Sequence, residues 1–157
     1  MKGHDPRAIA NKFSKYSSSI TQMKLQKLVY IANGWSLAIT DSPLVDAEIE
    51  AWLGGPVIRK IWDHIRDHGV NSQNQLCDPN SHIPFDVELS EIEERIIESV
   101  WNKYGDYSGS ELSKMTHQEN TPWSNAFIQR GRNATLRRRE IKEHFIELAV
   151  AGRDQTA

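Results

Sequence analysis

Cysteine is almost absent from this chain: Cys77 stands alone among 157 residues, which excludes an internal disulfide framework and a cysteine-rich zinc site. No apolar run approaches the ~20 residues that a bilayer span needs, and the stretch from Met1 to Pro6 lacks the apolar core of a signal peptide. A soluble protein of the reducing cytoplasm is therefore expected. Neither sign of charge dominates. Nineteen Lys and Arg against 21 Asp and Glu leave a net charge of −2, so the surface as a whole is not built for nucleic acid or anionic membrane, and partners must be sought in local patches. Signatures of catalysis are missing too: there is no Gly-x-Ser-x-Gly elbow, and Gly54-Gly55 is not followed by the Gly-Lys-Ser/Thr of a phosphate-cradling loop.

Aromatic residues, by contrast, are well supplied. Five Trp, four Tyr and four Phe offset a hydrophobic fraction of 38% by concentrating burial in few positions, and the length suits one core. The expectation is a single compact domain over residues 1–157, mainly α, with six to seven helices and a small β element.

Helix signals recur along the chain. Asp5-Pro6 pairs a capping carboxylate with a proline that has no amide to lose, opening a short helix to about Tyr16. Ser19 and Gln22 have capping-box spacing and open a long helix to about Thr40. Its Leu25, Leu28, Val29, Ala32, Trp35 and Ile39 recur at steps of three, four and seven, which predicts a central core helix with Lys24, Lys27 and Asn33 mostly off the inner face. Ala47 to Leu53 partly alternates and suits a short strand; Gly54-Gly55-Pro56 then reads as a sharp turn into a helix carrying Ile58, Ile61, Trp62 and Ile65 up to Gly69. Val70 to Pro84, rich in Asn, Ser, Gln and Pro, reads as a long mobile surface loop. Ser90 with Glu93, Ser108 with Glu111, and Thr121-Pro122 start three more helices, and a last one runs from about 137 to 151.

Three groups of residues invite a chemical reading. His64 and His68, four apart on one helix, have the spacing to share a metal ion, although the glutamate that a metalloprotease helix places after its first histidine is here Ile65. A solvated helix face accounts for them more simply. His117, with Glu119 nearby, has the makings of a general base but no activated nucleophile, and a histidine that hydrogen-bonds at a turn between helices is the plainer account. Arg130, Arg132, Arg137, Arg138, Arg139 and Lys142 form a basic cluster suited to phosphates or to an acidic protein surface, diluted by Glu140 and Glu143. No helix-turn-helix accompanies it.

Three stretches in series carry a family likeness: Lys24-Leu25-Gln26-Lys27-Leu28-Val29-Tyr30; Glu50-Ala51-Trp52-Leu53-Gly54-Gly55-Pro56-Val57; and Tyr107-Ser108-Gly109-Ser110-Glu111-Leu112-Ser113 continuing through Thr116-His117 to Pro122-Trp123. In content, order and spacing the chain resembles the Panacea domain, the family of SocA-like antitoxins and phage-associated GepA-like proteins, over about residues 20–127. It departs from the pattern at Gly54, where a larger residue is expected, and over Val70 to Pro84. The resemblance implies a mainly helical antitoxin that neutralises a cognate toxin by direct binding, with the SocA-like branch acting as an adaptor that delivers its toxin to the ClpXP protease. It implies no enzyme and no cofactor. The contact residues expected on this reading are Gly54, Gly55, Pro56, His117, Trp123, Arg130, Arg132, Arg137, Arg138 and Arg139; the oligomeric state stays open. A DNA-binding autoregulator using the cluster from Arg130 to Lys142, and a metal-dependent hydrolase built on His64, His68 and His117, are the alternatives.

Overall fold

The computed structural model describes residues 2–156. Seven helices and one two-stranded sheet follow in the order α1 (Pro6–Ser14), α2 (Gln22–Thr40), β1 (Glu50–Trp52), β2 (Gly55–Val57), α3 (Arg59–His68), α4 (Glu91–Tyr104), α5 (Gly109–Thr116), α6 (Pro122–Arg130) and α7 (Arg138–Thr156). The mainly α architecture with a small β element matches what the sequence implies. So do most of the helix starts. Asp5 accepts from the Arg7 amide with Pro6 at the first helical position, and Ser90/Glu93 and Ser108/Glu111 each close a reciprocal capping box. Thr121 caps α6 and forms a third reciprocal pair, with Ser124.

α2 is the axis of the molecule: α1, α4, α5, α7 and β2 all pack against it. Its N-cap is Thr21, whose side chain accepts from the Lys24 amide, while Ser19 bonds to Ser17 instead. A helix enclosed on every side must bury polar positions as well as the apolar stripe, and Gln26, Lys27 and Asn33 are all buried. Each has a backbone partner outside the helix. Asn33 Oδ1 accepts from the amides of Leu44 and Val45, at 2.9 and 3.3 Å, and so fixes the turn that follows α2. On the α7 side the Phe145 ring lies where a side chain at Gly34 would project, so that only hydrogen at that position lets the two helices approach this closely. Tyr30 and Trp35 meet the same ring edge-on, at centroid separations of 5.9 and 5.2 Å.

The segment from Val70 to Pro84 is the expected loop, mostly exposed, but it is pinned to the core at one point. Leu76 is fully buried, and Asn11 of α1 grips it: the Asn11 amide donates to the Leu76 and Phe85 carbonyls while its oxygen accepts from the Leu76 amide, all within 2.8 to 2.9 Å. Asn74 adds a bond to the Ile20 carbonyl and accepts one from Ser14 on its own carbonyl. Polar composition here serves to pin a loop, because the Asn11, Ser14 and Asn74 side chains stand in for missing ladder partners.

Candidate partner-binding site

The sharp turn expected at Gly54-Gly55-Pro56 is a β-hairpin instead. β1 and β2 pair antiparallel with Glu50 opposite Val57, Ala51 opposite Pro56 and Trp52 opposite Gly55, and the turn is made by Leu53 and Gly54. Gly55 sits at φ 121, a conformation open to glycine and strained for any other residue, which is what lets so short a strand begin directly after the turn. Proline suits the adjoining position because its missing amide costs an edge strand nothing.

Four alternate carbonyls of this hairpin are each held by a side chain. Trp123 Nε1 donates to the Trp52 carbonyl at 2.6 Å, Ser113 Oγ to that of Gly54, Lys27 Nζ to that of Pro56 at 2.9 Å, and Gln26 Nε2 to that of Ile58 at 3.1 Å. Gln26 also accepts from the Ile58 amide, which caps α3 in place of the absent side-chain cap. The donors come from the first and third of the sequence stretches that stood out together, and the hairpin they hold is the second. Those stretches, remote along the chain, converge on one hairpin and fix its position from α2, α5 and α6.

Lys27 is the least expected member. It is buried, with no ion pair among the described residues, and that burial lowers the pKa of its ammonium to about 8. His117 stands beside the assembly: its Nδ1 is 3.5 Å from Ser113 Oγ and its ring meets Trp123 edge-on at 5.3 Å. This is the hydrogen-bonding turn histidine, and no activated nucleophile adjoins it; the nearest hydroxyl, that of Ser113, donates to the Gly54 carbonyl.

What the hairpin shows to solvent is narrow. Leu53 is 67% exposed at the tip, and at Gly54 a side chain would meet nothing within 4 Å. Gly55, Pro56 and Trp123 are buried, so among the expected contact residues they hold the surface up from beneath. Trp52 is half-buried between Trp62, edge-on at 5.2 Å, and Arg59, whose guanidinium forks onto Glu50 and holds that carboxylate below its usual range.

The basic cluster lies alongside. Residues 133–136 run in extended form down the free edge of β1: Asn133 N donates to Ala51 O, Ala51 N to Ala134 O, and Leu136 N to Ile49 O, at 2.7 to 2.8 Å. Arg130 donates to the Thr135 carbonyl and so braces this strand-like segment. Arg137 faces Glu140 at 3.8 Å, Arg139 faces Glu143 at 3.1 Å and Lys142 faces Asp41 at 2.8 Å. Arg132 and Arg138, both exposed, form no ion pair among the described residues and carry the patch's unmatched charge.

The structure does not gather the three histidines of the hydrolase alternative. His64 and His68 touch, with ring centroids 5.1 Å apart, but His64 is buried against Phe85 and faces the Arg7 guanidinium, 3.4 Å from its Nδ1. Burial and that neighbouring cation both push its pKa down. A fixed positive charge beside the imidazole opposes a second cation. Among the described residues no three His, Cys, Asp or Glu side chains are placed to hold one ion, and no helix is long and apolar enough to cross a membrane.

Comparison with known proteins now places the chain. It belongs to the family described as Antitoxin SocA-like, Panacea domain, whose model matches residues 25–124. It is also 30% identical over 135 residues to Antitoxin SocA of Caulobacter vibrioides (strain NA1000 / CB15N), a match that takes in 76% of this chain and 68% of that protein. No solved structure matches. The family match begins inside α2 and ends inside α6, taking in all four side chains that clasp the hairpin.

Proposed function

We propose that this chain is an antitoxin that neutralises a cognate toxin by binding it directly, as a recognition protein and not as an enzyme, and that the contact is made by the hairpin tip at Leu53-Gly54 together with the neighbouring basic edge at Arg132 and Arg138. The observation that carries this reading is the clasp itself. Four buried donors hold carbonyls along a short hairpin, Glu50 to Val57, and the residue after it, and the exposed part of the hairpin is its tip, an arrangement that preorganises a contact at little entropic cost on binding. Family membership supports the antitoxin role, and the unmatched arginines suit an acidic rim on the partner.

The test is co-expression with the product of the adjacent reading frame, scoring growth rescue and co-purification. Gly54→Arg and Leu53→Asp alter only open positions, so both variants keep the parent's urea midpoint, and both lose rescue. Retained rescue in both would remove the hairpin tip from the interface; a harmless neighbour that never co-purifies would remove the toxin reading itself. Rescue accompanied by disappearance of the toxin, abolished in a host without ClpXP, marks delivery to that protease, whereas rescue with a stoichiometric complex marks direct blockade.

A further inference from the structure

A second surface, built from other elements, has the makings of a docking groove. The C-terminal half of α2 and the body of α4 diverge to leave a hollow of about 300 Å³ walled by Trp35, Ile39, Ile92 and Ile96. Ile39 continues the core stripe of α2, at four residues beyond Trp35, yet it is 56% exposed, and Ile92 across the hollow is 45% exposed. Two isoleucines on facing helices thus stand open where core packing is expected.

The charged groups lining this hollow are of one sign. Arg95 and Lys103 lie eight residues apart on α4, about 12 Å along the helix axis, and no carboxylate lines the hollow among the described residues. Among the described residues Arg95 pairs with Glu91 alone, and both side chains are at least three-quarters exposed (75% and 82%), so the pair is weak and readily exchanged. Lys103 lies over the rings of Trp35 and Tyr104, at 5.4 Å from each centroid, and makes no ion pair among the described residues. Both walls are helices whose amides and carbonyls are used internally, so the hollow offers no main-chain bonds to an extended peptide. An occupant must satisfy its own backbone, as a helix does.

We propose that this hollow receives an amphipathic helix of a partner protein, which sets one or two large apolar side chains between Ile39 and Ile92 and carboxylates, about 12 Å apart, against Arg95 and Lys103. The proposal does not rest on the toxin reading, since the hairpin contributes nothing to the hollow. The probe is a hydrocarbon-stapled peptide with a leucine face flanked by glutamates two turns apart, titrated against the full chain by fluorescence anisotropy. Saturable binding is expected. It falls at least about tenfold in the double variant Arg95→Glu, Lys103→Glu, whose changed positions are exposed and leave the fold intact, and returns when the glutamates of the peptide are replaced by lysines. Ile39→Asp abolishes binding of either peptide. Absence of binding, or binding indifferent to the charge reversal, overturns the proposal, as does concentration-dependent dimerisation of the peptide-free chain that Ile39→Asp abolishes, which would assign the hollow to a second copy of this chain.

Discussion

The Nζ of Lys27 lies 2.9 Å from the carbonyl oxygen of Pro56, joining the second turn of the central helix to the second strand of the hairpin through a side chain that is only 3% exposed. Burying an ammonium against a single carbonyl is costly, and its effect on stability can be read from pH. With the folded value lowered to about 8, against about 10.4 in the unfolded chain, the unfolded state binds more protons across that interval, so stability from this group rises with pH between the two values. Below the lower value the protonated amine costs about 3 kcal/mol.

Replacing Lys27 by Met removes that dependence. Urea unfolding of the parent and of Lys27→Met at about pH 7.5 and about pH 10 should show the parent gaining about 2 kcal/mol relative to the variant at the higher pH. A difference that stays constant between the two conditions would place the Lys27 ammonium in contact with water.

Trp123→Phe keeps the ring packed on Phe127 and removes the Nε1 donor from the Trp52 carbonyl. An acceptor left without its partner costs about 1–3 kcal/mol, read as a lower urea midpoint at unchanged m-value. A midpoint equal to the parent's would show that water replaces the indole.

At Gly34 the usual helix preference inverts. Alanine in a helix interior is favoured over glycine by about 1 kcal/mol, but here its methyl carbon would overlap the Phe145 ring. Gly34→Ala should therefore destabilise by about 1–3 kcal/mol, and Phe145→Leu in the same chain should recover part of that loss. Additive effects of the two changes in thermal melts would count against the contact.

Asn11→Ala releases the loop that the sequence presents as mobile. With the Leu76 amide and carbonyl and the Phe85 carbonyl unpaired, limited proteolysis between residues 70 and 84 should run about tenfold faster, with helical circular dichroism retained. An unchanged cleavage rate would mean that burial of Leu76 alone holds the loop.

Helix starts were legible because caps are local: Asp5, Ser90, Ser108 and Thr121 each bond within three residues of themselves. The long-range polar bonds were not. Lys27 and Asn33 read as solvent-facing because hydrophobic periodicity treats a polar residue as an outward one, whereas α2 is wrapped on all sides from Leu25 to Gly34 and turns these positions toward irregular backbone. Ile39 shows the converse, an apolar residue in perfect register with the stripe beyond the reach of anything that covers it. For the candidate site, the sequence identified the hairpin neighbourhood through its three co-occurring stretches but assigned the contact role too widely. Gly55, Pro56 and Trp123 are buried, Leu53 is the exposed tip, and Ser113, Lys27 and Gln26 carry the clasp. Their signal was present as polar side chains inside otherwise apolar motifs.

The enclosure of α2 has a consequence for synthesis. α7, which leaves the ribosome after α1 to α6, supplies Ile141 and Phe145 to the core, so a nascent chain that carries only those six helices still presents the Tyr30, Gly34 and Trp35 face of α2 without its α7 cover. Folding is therefore completed only after α7 has been translated, and truncation ahead of Arg138 yields an aggregation-prone polypeptide with its aromatic seam open. The hairpin and its four donors are all translated before α7, so the clasp precedes closure of the aromatic seam, and in that interval the bare face of α2 is the apolar surface most open to misassembly.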